Sequence, residues 1–125
     1  MHLKLDTIMI FVDDFEKMSH FYQHILGFAV LEETPLVWML LSAGNAKIGL
    51  HKTGEAFAIR SADDTGSSNT KIVFETTDNI HKVHANLLAK SVSVEAVTSF
   101  DNYPYLLFMG RDPEGNVFQV IQQKR

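Results

Sequence analysis

The sequence predicts an α+β fold made of tandem βαβββ modules that form a curved sheet around a cavity, and three observations predict it. The order strand, helix, three strands can be read twice along the 125 residues; an aspartate stands before each helical stretch; and turn signals recur between corresponding elements. Two curved sheets, each backed by a helix, can then face one another around a space walled by strand residues. The modules are expected at residues 1–59 and 70–125, separated by a linker at 60–69 within one domain.

In the first module, "LKLDTIMIFV" (residues 3–12) is rich in β-formers. Asp13 or Asp14 then offers an N-cap to a helical stretch with Phe15, Met18, Tyr22, Ile25 and Leu26 on one face. Gly27 ends it, because glycine accepts the left-handed conformation common after a helix, and Phe28 can supply the accompanying apolar contact. "FAVLEET", "LVWMLLSA" and "AKIGLHK" follow as strands, interrupted by Pro35 and by Gly44-Asn45.

The second module repeats this order. "TKIVFETT" (residues 70–77) is a strand, Asp78 is the expected cap, and Ile80, Val83, Leu87 and Leu88 form a helical stripe running to about Ser91. The next three strands are "VSVEAVTSF", "YLLFMGR" and "NVFQVIQQ", the last two joined by the tight-turn sequence "DPEG". The segment between modules, "RSADDTGSSN", is polar and turn-rich, as a linker should be.

Composition narrows the chemistry. A chain of this length buries roughly two-thirds of its unfolded surface, so it needs no covalent staples. It has no cysteine, which removes disulfides, thiolate metal sites and thiol nucleophiles. Eleven basic and fifteen acidic residues give a net charge of −4 without a basic cluster suited to a phosphate backbone, so nucleic acid is not an expected partner. No apolar run is long enough to cross a membrane and no leader pattern opens the sequence, which points to a soluble, cytoplasmic protein. There is no Ser-His-Asp signature and no glycine-rich phosphate loop.

One residue interrupts the pattern. Gln119 lies among Val117, Phe118, Val120 and Ile121, where either strand face would be buried. A buried amide left unpaired costs roughly 1–3 kcal/mol, so Gln119 must close a hydrogen-bond network, face a wet cavity, or stand where another residue type once had chemistry to perform.

The stretches "VDDFEKMSHFYQHILGF" (residues 12–28) and "DPEGNVFQVIQ" (residues 112–122) resemble the vicinal oxygen chelate superfamily of glyoxalases, extradiol dioxygenases and bleomycin-resistance proteins. The resemblance spans nearly the whole chain and implies the glyoxalase/bleomycin resistance fold, commonly as a homodimer. In the metalloenzymes of that superfamily the ligands project from four strands, usually as His, Glu, His and Glu. By motif alignment those places are held here by Thr7, Gly49, Lys71 and Gln119. Threonine and glutamine are weak neutral ligands, glycine supplies none, and an ammonium repels a cation, so neither a metal nor another cofactor is expected in the usual place.

The resemblance therefore implies a metal-free protein that binds a planar or amphipathic small molecule and acts by sequestration, as the bleomycin-resistance branch does. The candidate lining comprises Thr7, Trp38, Gly49, His51, Lys71, Glu75, Tyr105, Arg111 and Gln119, with Phe57, Tyr103 and Phe108 as further aromatic candidates, Phe108 more plausibly in the core. Lys71 could act as a base, bind an anion, or pair with a carboxylate, and Gln119 could bond to Lys71 or Thr7. The alternative is a divergent metal-dependent lyase, isomerase or oxygenase in which His51, Glu75 and Gln119 hold one divalent ion, and whether any catalysis occurs stays open at this point. His20 and His24 are spaced for chelation but lie off the apolar stripe, and His81 and His84 read as surface or boundary residues.

Overall fold

The computed structural model describes residues 1, 2, 4–53 and 70–125; Phe57 and the expected linker at 60–69 lie outside them. Contacts divide the chain into two units, Met1–Arg60 and Ser61–Arg125. Each has the βαβββ order, with its first strand parallel to its last, as a helical crossover requires.

In the first unit β1 (Thr7–Val12), β2 (Ala29–Thr34), β3 (Trp38–Ala43) and β4 (Ala46–Lys52) form a four-stranded sheet in the order β1-β4-β3-β2. Val12, Met39, Leu41, Ile48 and Leu50 alternate onto one face and are buried together with Phe15, Met18, Phe21 and Tyr22 of the helical segment. Each such side chain contributes about 1.5–3 kcal/mol of burial. The helix α1 (Phe15–His20) is capped by Asp14, whose Oδ1 accepts from the Lys17 amide at 3.0 Å. Asp13, the other sequence candidate, instead accepts the Thr53 hydroxyl at 3.0 Å. After His20 the helix widens into a π-turn, Phe21–Ile25, in which Leu26 N–H reaches Phe21 O at 2.9 Å. Gly27, at φ +82°, ends it as expected, with Phe28 N–H donating to Tyr22 O at 3.1 Å.

The second unit holds β5 (Ile72–Glu75), the helix α2 (Ile80–Ala89), β6 (Ser93–Val94), β7 (Thr98–Ser99), β8 (Tyr105–Arg111) and β9 (Val117–Gln123). Three expectations are corrected here. The helix cap is Asn79, not Asp78: the Asn79 amide oxygen accepts from His81 and Lys82 N–H, while Asp78 N–H is held by the Thr76 hydroxyl. The segment "VSVEAVTSF" is two short strands on β8 rather than one, because its path from Val94 to Thr98 takes four steps against three from Gly110 to Leu107. That extra residue is a bulge, and His84 Nε2 donates to the Glu95 carbonyl beside it at 2.9 Å. Ile80 and Leu87 of α2 are buried, whereas Leu88, placed in the stripe from sequence, is 58% exposed.

The turn after β8 is knotted by Asp112, which is 4% exposed. Its Oδ1 accepts from Glu114 and Asn116 N–H at 2.9 Å each and its Oδ2 from the Asn116 amide at 2.8 Å. On the helix side of β9, Gln122 Oε1 accepts the first N–H of α2, from Ile80, at 2.7 Å. Among the described residues no helix is long and apolar enough to cross a membrane.

Candidate functional site

Side chains on a strand alternate, so in each unit the residues that do not face the helix share the opposite sheet face. In the second unit that face carries Lys71, Val73 and Glu75, then Gln119 and Ile121 of β9, then Tyr105, Met109 and Arg111 of β8, as the register Val73↔Gln119 and Met109↔Gln119 requires. Lys71 Nζ donates to Gln119 Oε1 at 2.6 Å and lies 3.8 Å from Met109 Sδ. This resolves the interruption in β9: Gln119 is 7% exposed and its oxygen is held by the lysine. Thr7 takes no part, because its hydroxyl donates to Asp6 Oδ2 at 2.7 Å.

Of the three roles left open for Lys71, pairing with a carboxylate is not seen among the described residues. The one salt bridge among the described residues joins Lys47 to Asp6 at 3.1 Å. Lys71 is exposed rather than roofed by apolar side chains. Glu75 shares its face but stands opposite Ile121, two positions along the ladder from Gln119. Arg111 Nη1 donates to Gly115 O at 3.0 Å, clasping its own turn, and Tyr105 meets the Tyr103 ring at 5.4 Å between centroids. Phe108 is on the other face, fully buried and met edge-on by His84, so it belongs to the core.

In the first unit the equivalent face is aromatic. Trp38 is half-buried, its Nε1 donates to Glu32 Oε2 at 3.3 Å, and its ring lies over Gly49. A Cβ on Gly49 would stand 2.7 Å from Trp38 Cη2 and 2.7 Å from Met9 Sδ, so the indole can rest there only over glycine. His51 closes the group, with its ring centroid 5.9 Å from Phe11 and 6.1 Å from Trp38. Its Nδ1 is 2.7 Å from Lys52 O, and a carbonyl can only accept, so Nδ1 carries the proton and Nε2 presents its lone pair. Met9 and Phe11 on the same face are 44% and 41% exposed.

Asp6, at the edge of this sheet, is held below the usual carboxylate range, first by the Thr7 hydroxyl and then by Lys47. His20 and His24 are exposed, with ring centroids 5.2 Å apart.

Of the four residues that motif alignment set against metal-ligand positions, three have their polar atoms or space already taken and the fourth is the Lys71 ammonium. Thr7 is engaged with Asp6, Gly49 is covered by Trp38 and Met9, and the Gln119 oxygen is occupied by the Lys71 ammonium. Among the described residues no three His, Asp or Glu side chains are grouped to hold a metal. Sequence reasoning missed Glu32 as the partner of Trp38, Met109 beside Lys71, and the exposed pair Met9 and Phe11, although the last two share strand parity with Thr7.

The family model of the Glyoxalase/Bleomycin resistance protein/Dioxygenase superfamily matches residues 4–120. The antibiotic binding protein TnmS3 from Streptomyces sp. CB03234 superposes with a TM-score of 0.76 at 22% identity, covering 98% of both chains. Lactoylglutathione lyase from Agrobacterium tumefaciens gives 0.74 at 17% identity, covering 95% of this chain and 92% of that one. A glyoxalase family protein from Enterococcus faecalis gives 0.76 at 18% identity, covering 94% and 96%. At these identities the likeness is one of fold.

Proposed function

The chain belongs to the Glyoxalase/Bleomycin resistance protein/Dioxygenase superfamily, and from that membership we propose that it is a metal-free binding protein that sequesters a planar or amphipathic small molecule. The observation that carries this reading is the Lys71–Gln119 hydrogen bond at 2.6 Å. By motif alignment Lys71 and Gln119 take two of the places where the superfamily's metalloenzymes carry ligands, and the ammonium satisfies the Gln119 oxygen that a metal would need. The aromatic group of exposed Phe11 and half-buried Trp38 and His51 supplies the flat apolar surface that such a ligand would contact. The likeness to an antibiotic binding protein agrees with it at the level of fold.

The metal-dependent alternative draws on His51, but among the described residues its proposed companions are engaged or apart: Gln119 is committed to Lys71 and Glu75 sits two ladder positions away from Gln119. The proposed assembly is a homodimer, since β1, β2 and β5 are edge strands of their sheets and such edges call for cover. Light scattering should return twice the chain mass.

The test is metal analysis of protein purified without chelator or affinity tag, followed by titration of Trp38 fluorescence with a panel of planar amphipathic compounds. Metal well below one ion per chain, with saturable change in Trp38 emission, is the expected result. A stoichiometric transition metal ligated through Thr7, Lys71 or Gln119 overturns the reading.

A further inference from the structure

We infer that Lys71 and Gln119 form an oxyanion subsite, so that the ligand is a carboxylate and the ammonium receives the oxygen that a divalent ion would otherwise hold. The inference rests on the small-molecule-binding reading and names the chemical class of its ligand.

Lysine offers only protons, so the bond from Nζ to Oε1 fixes the Gln119 amide with its oxygen toward Lys71 and its NH2 away. Gln119 is 7% exposed, and no buried side-chain nitrogen or oxygen among the described residues lacks a partner. No acceptor for this NH2 exists among those residues, so it reaches accessible space on the same sheet face. Lys71 has no carboxylate counter-ion among them, and its remaining protons meet only the weak acceptor Met109 Sδ. Arg111, two residues beyond Met109 on this face, spends one N–H on Gly115 O and adds a second positive charge. Glu75 is the carboxylate on this face and stands two ladder positions from Gln119, opposite Ile121; Lys71 and Arg111 outweigh it, and the polar groups left over at the Lys71–Gln119 pair are donors. Their complement is an anionic oxygen, which forms shorter and stronger hydrogen bonds to such groups than a neutral carbonyl does.

The experiment uses the 15N-labelled full chain and matched probes that differ only in charge: benzoate against benzamide, and 2-naphthoate against 2-naphthamide. The carboxylates should bind about tenfold or more tightly than the amides and shift the Gln119 side-chain NH2 resonances. Lys71→Met should erase the preference, Lys71→Arg should keep most of it, and Gln119→Leu should weaken the carboxylates alone. Equal affinity within each pair, or a preference for the amide, overturns the inference and leaves the binding reading standing. No perturbation by any of the four probes overturns both.

Discussion

The ammonium of Lys71 and the side-chain oxygen of Gln119 are 2.6 Å apart, and the two partners are buried to very different extents. Gln119 is almost enclosed, while Lys71 is open to solvent. Removing one partner therefore differs from removing the other. Lys71→Met leaves a nearly buried oxygen without its donor and should cost about 1 kcal/mol, whereas Gln119→Leu returns the ammonium to water and should change stability by less than about 0.5 kcal/mol. The double variant should match Gln119→Leu alone, a coupling of about 1 kcal/mol in urea denaturation. Additive losses in the double variant, with no coupling, would mean that the bond does not support the sheet.

The Asp112 turn makes a sharper demand. Its carboxylate accepts from the Glu114 and Asn116 backbone amides and from the Asn116 side chain. Asp112→Ala should destabilise by about 2–4 kcal/mol. Asp112→Asn keeps an acceptor for the backbone and, once the Asn116 amide flips, a partner for its own NH2, so it should recover about half of that loss. Thermal melts of the two variants side by side decide the point.

Much of this was legible in the sequence because it is periodic. The parity of β9 and of the segment opening at Lys71 put Gln119 and Lys71 on one face, so their bond was one of two pairings foreseen. The Trp38–Glu32 bond was not foreseen, for a reason visible in the register. The ladder runs Val30↔Leu41 and then Glu32↔Leu40, so Leu31 is skipped and the parity of β2 reverses after it. Strict alternation would have sent Glu32 to the opposite face from Ala29, which pairs with Ser42; the bulge brings both onto the face of Trp38. The same local effect split "VSVEAVTSF", since an extra residue in an edge strand leaves no mark on hydrophobic pattern. The choice of Asn79 over Asp78 as a cap turned on a single backbone position that neighbouring polar residues do not distinguish.

Asp6 gives the first unit's stability a small acid dependence. Its carboxyl is held below its ordinary value of 3.8 by the Thr7 hydroxyl and by Lys47. A depressed folded-state value means that its contribution is complete above the unfolded value and is lost as pH falls from there through the folded one. Asp6→Asn should therefore lower the melting temperature slightly near pH 7, where the contribution is complete, and its difference from the parent protein should close as pH falls below about 4, the ordinary carboxylate range. Because the group is exposed, added salt should shrink the difference. A pH profile identical to that of the parent protein would show that the Asp6, Thr7 and Lys47 contacts carry no weight in solution.

Gly49 joins packing to binding. A methyl group there would lie 2.7 Å from the rigid indole of Trp38 and 2.7 Å from the flexible end of Met9. Met9 can swing away, being 44% exposed, but the indole cannot yield without tilting off the sheet and straining its bond to Glu32. Overpacking of this kind typically costs about 1–3 kcal/mol, and half-burial of Trp38 places the expected loss at the lower end. The optical change should be the larger one: Trp38 would move into water, and its emission would shift to the red before any denaturant is added. If Trp38 also forms part of the ligand surface, Gly49→Ala should weaken fluorescence-detected binding by more than its loss of stability predicts. Gly49→Ala with unchanged emission and unchanged affinity would separate Trp38 from the site and leave the donor face of Lys71 and Gln119 as the remaining candidate.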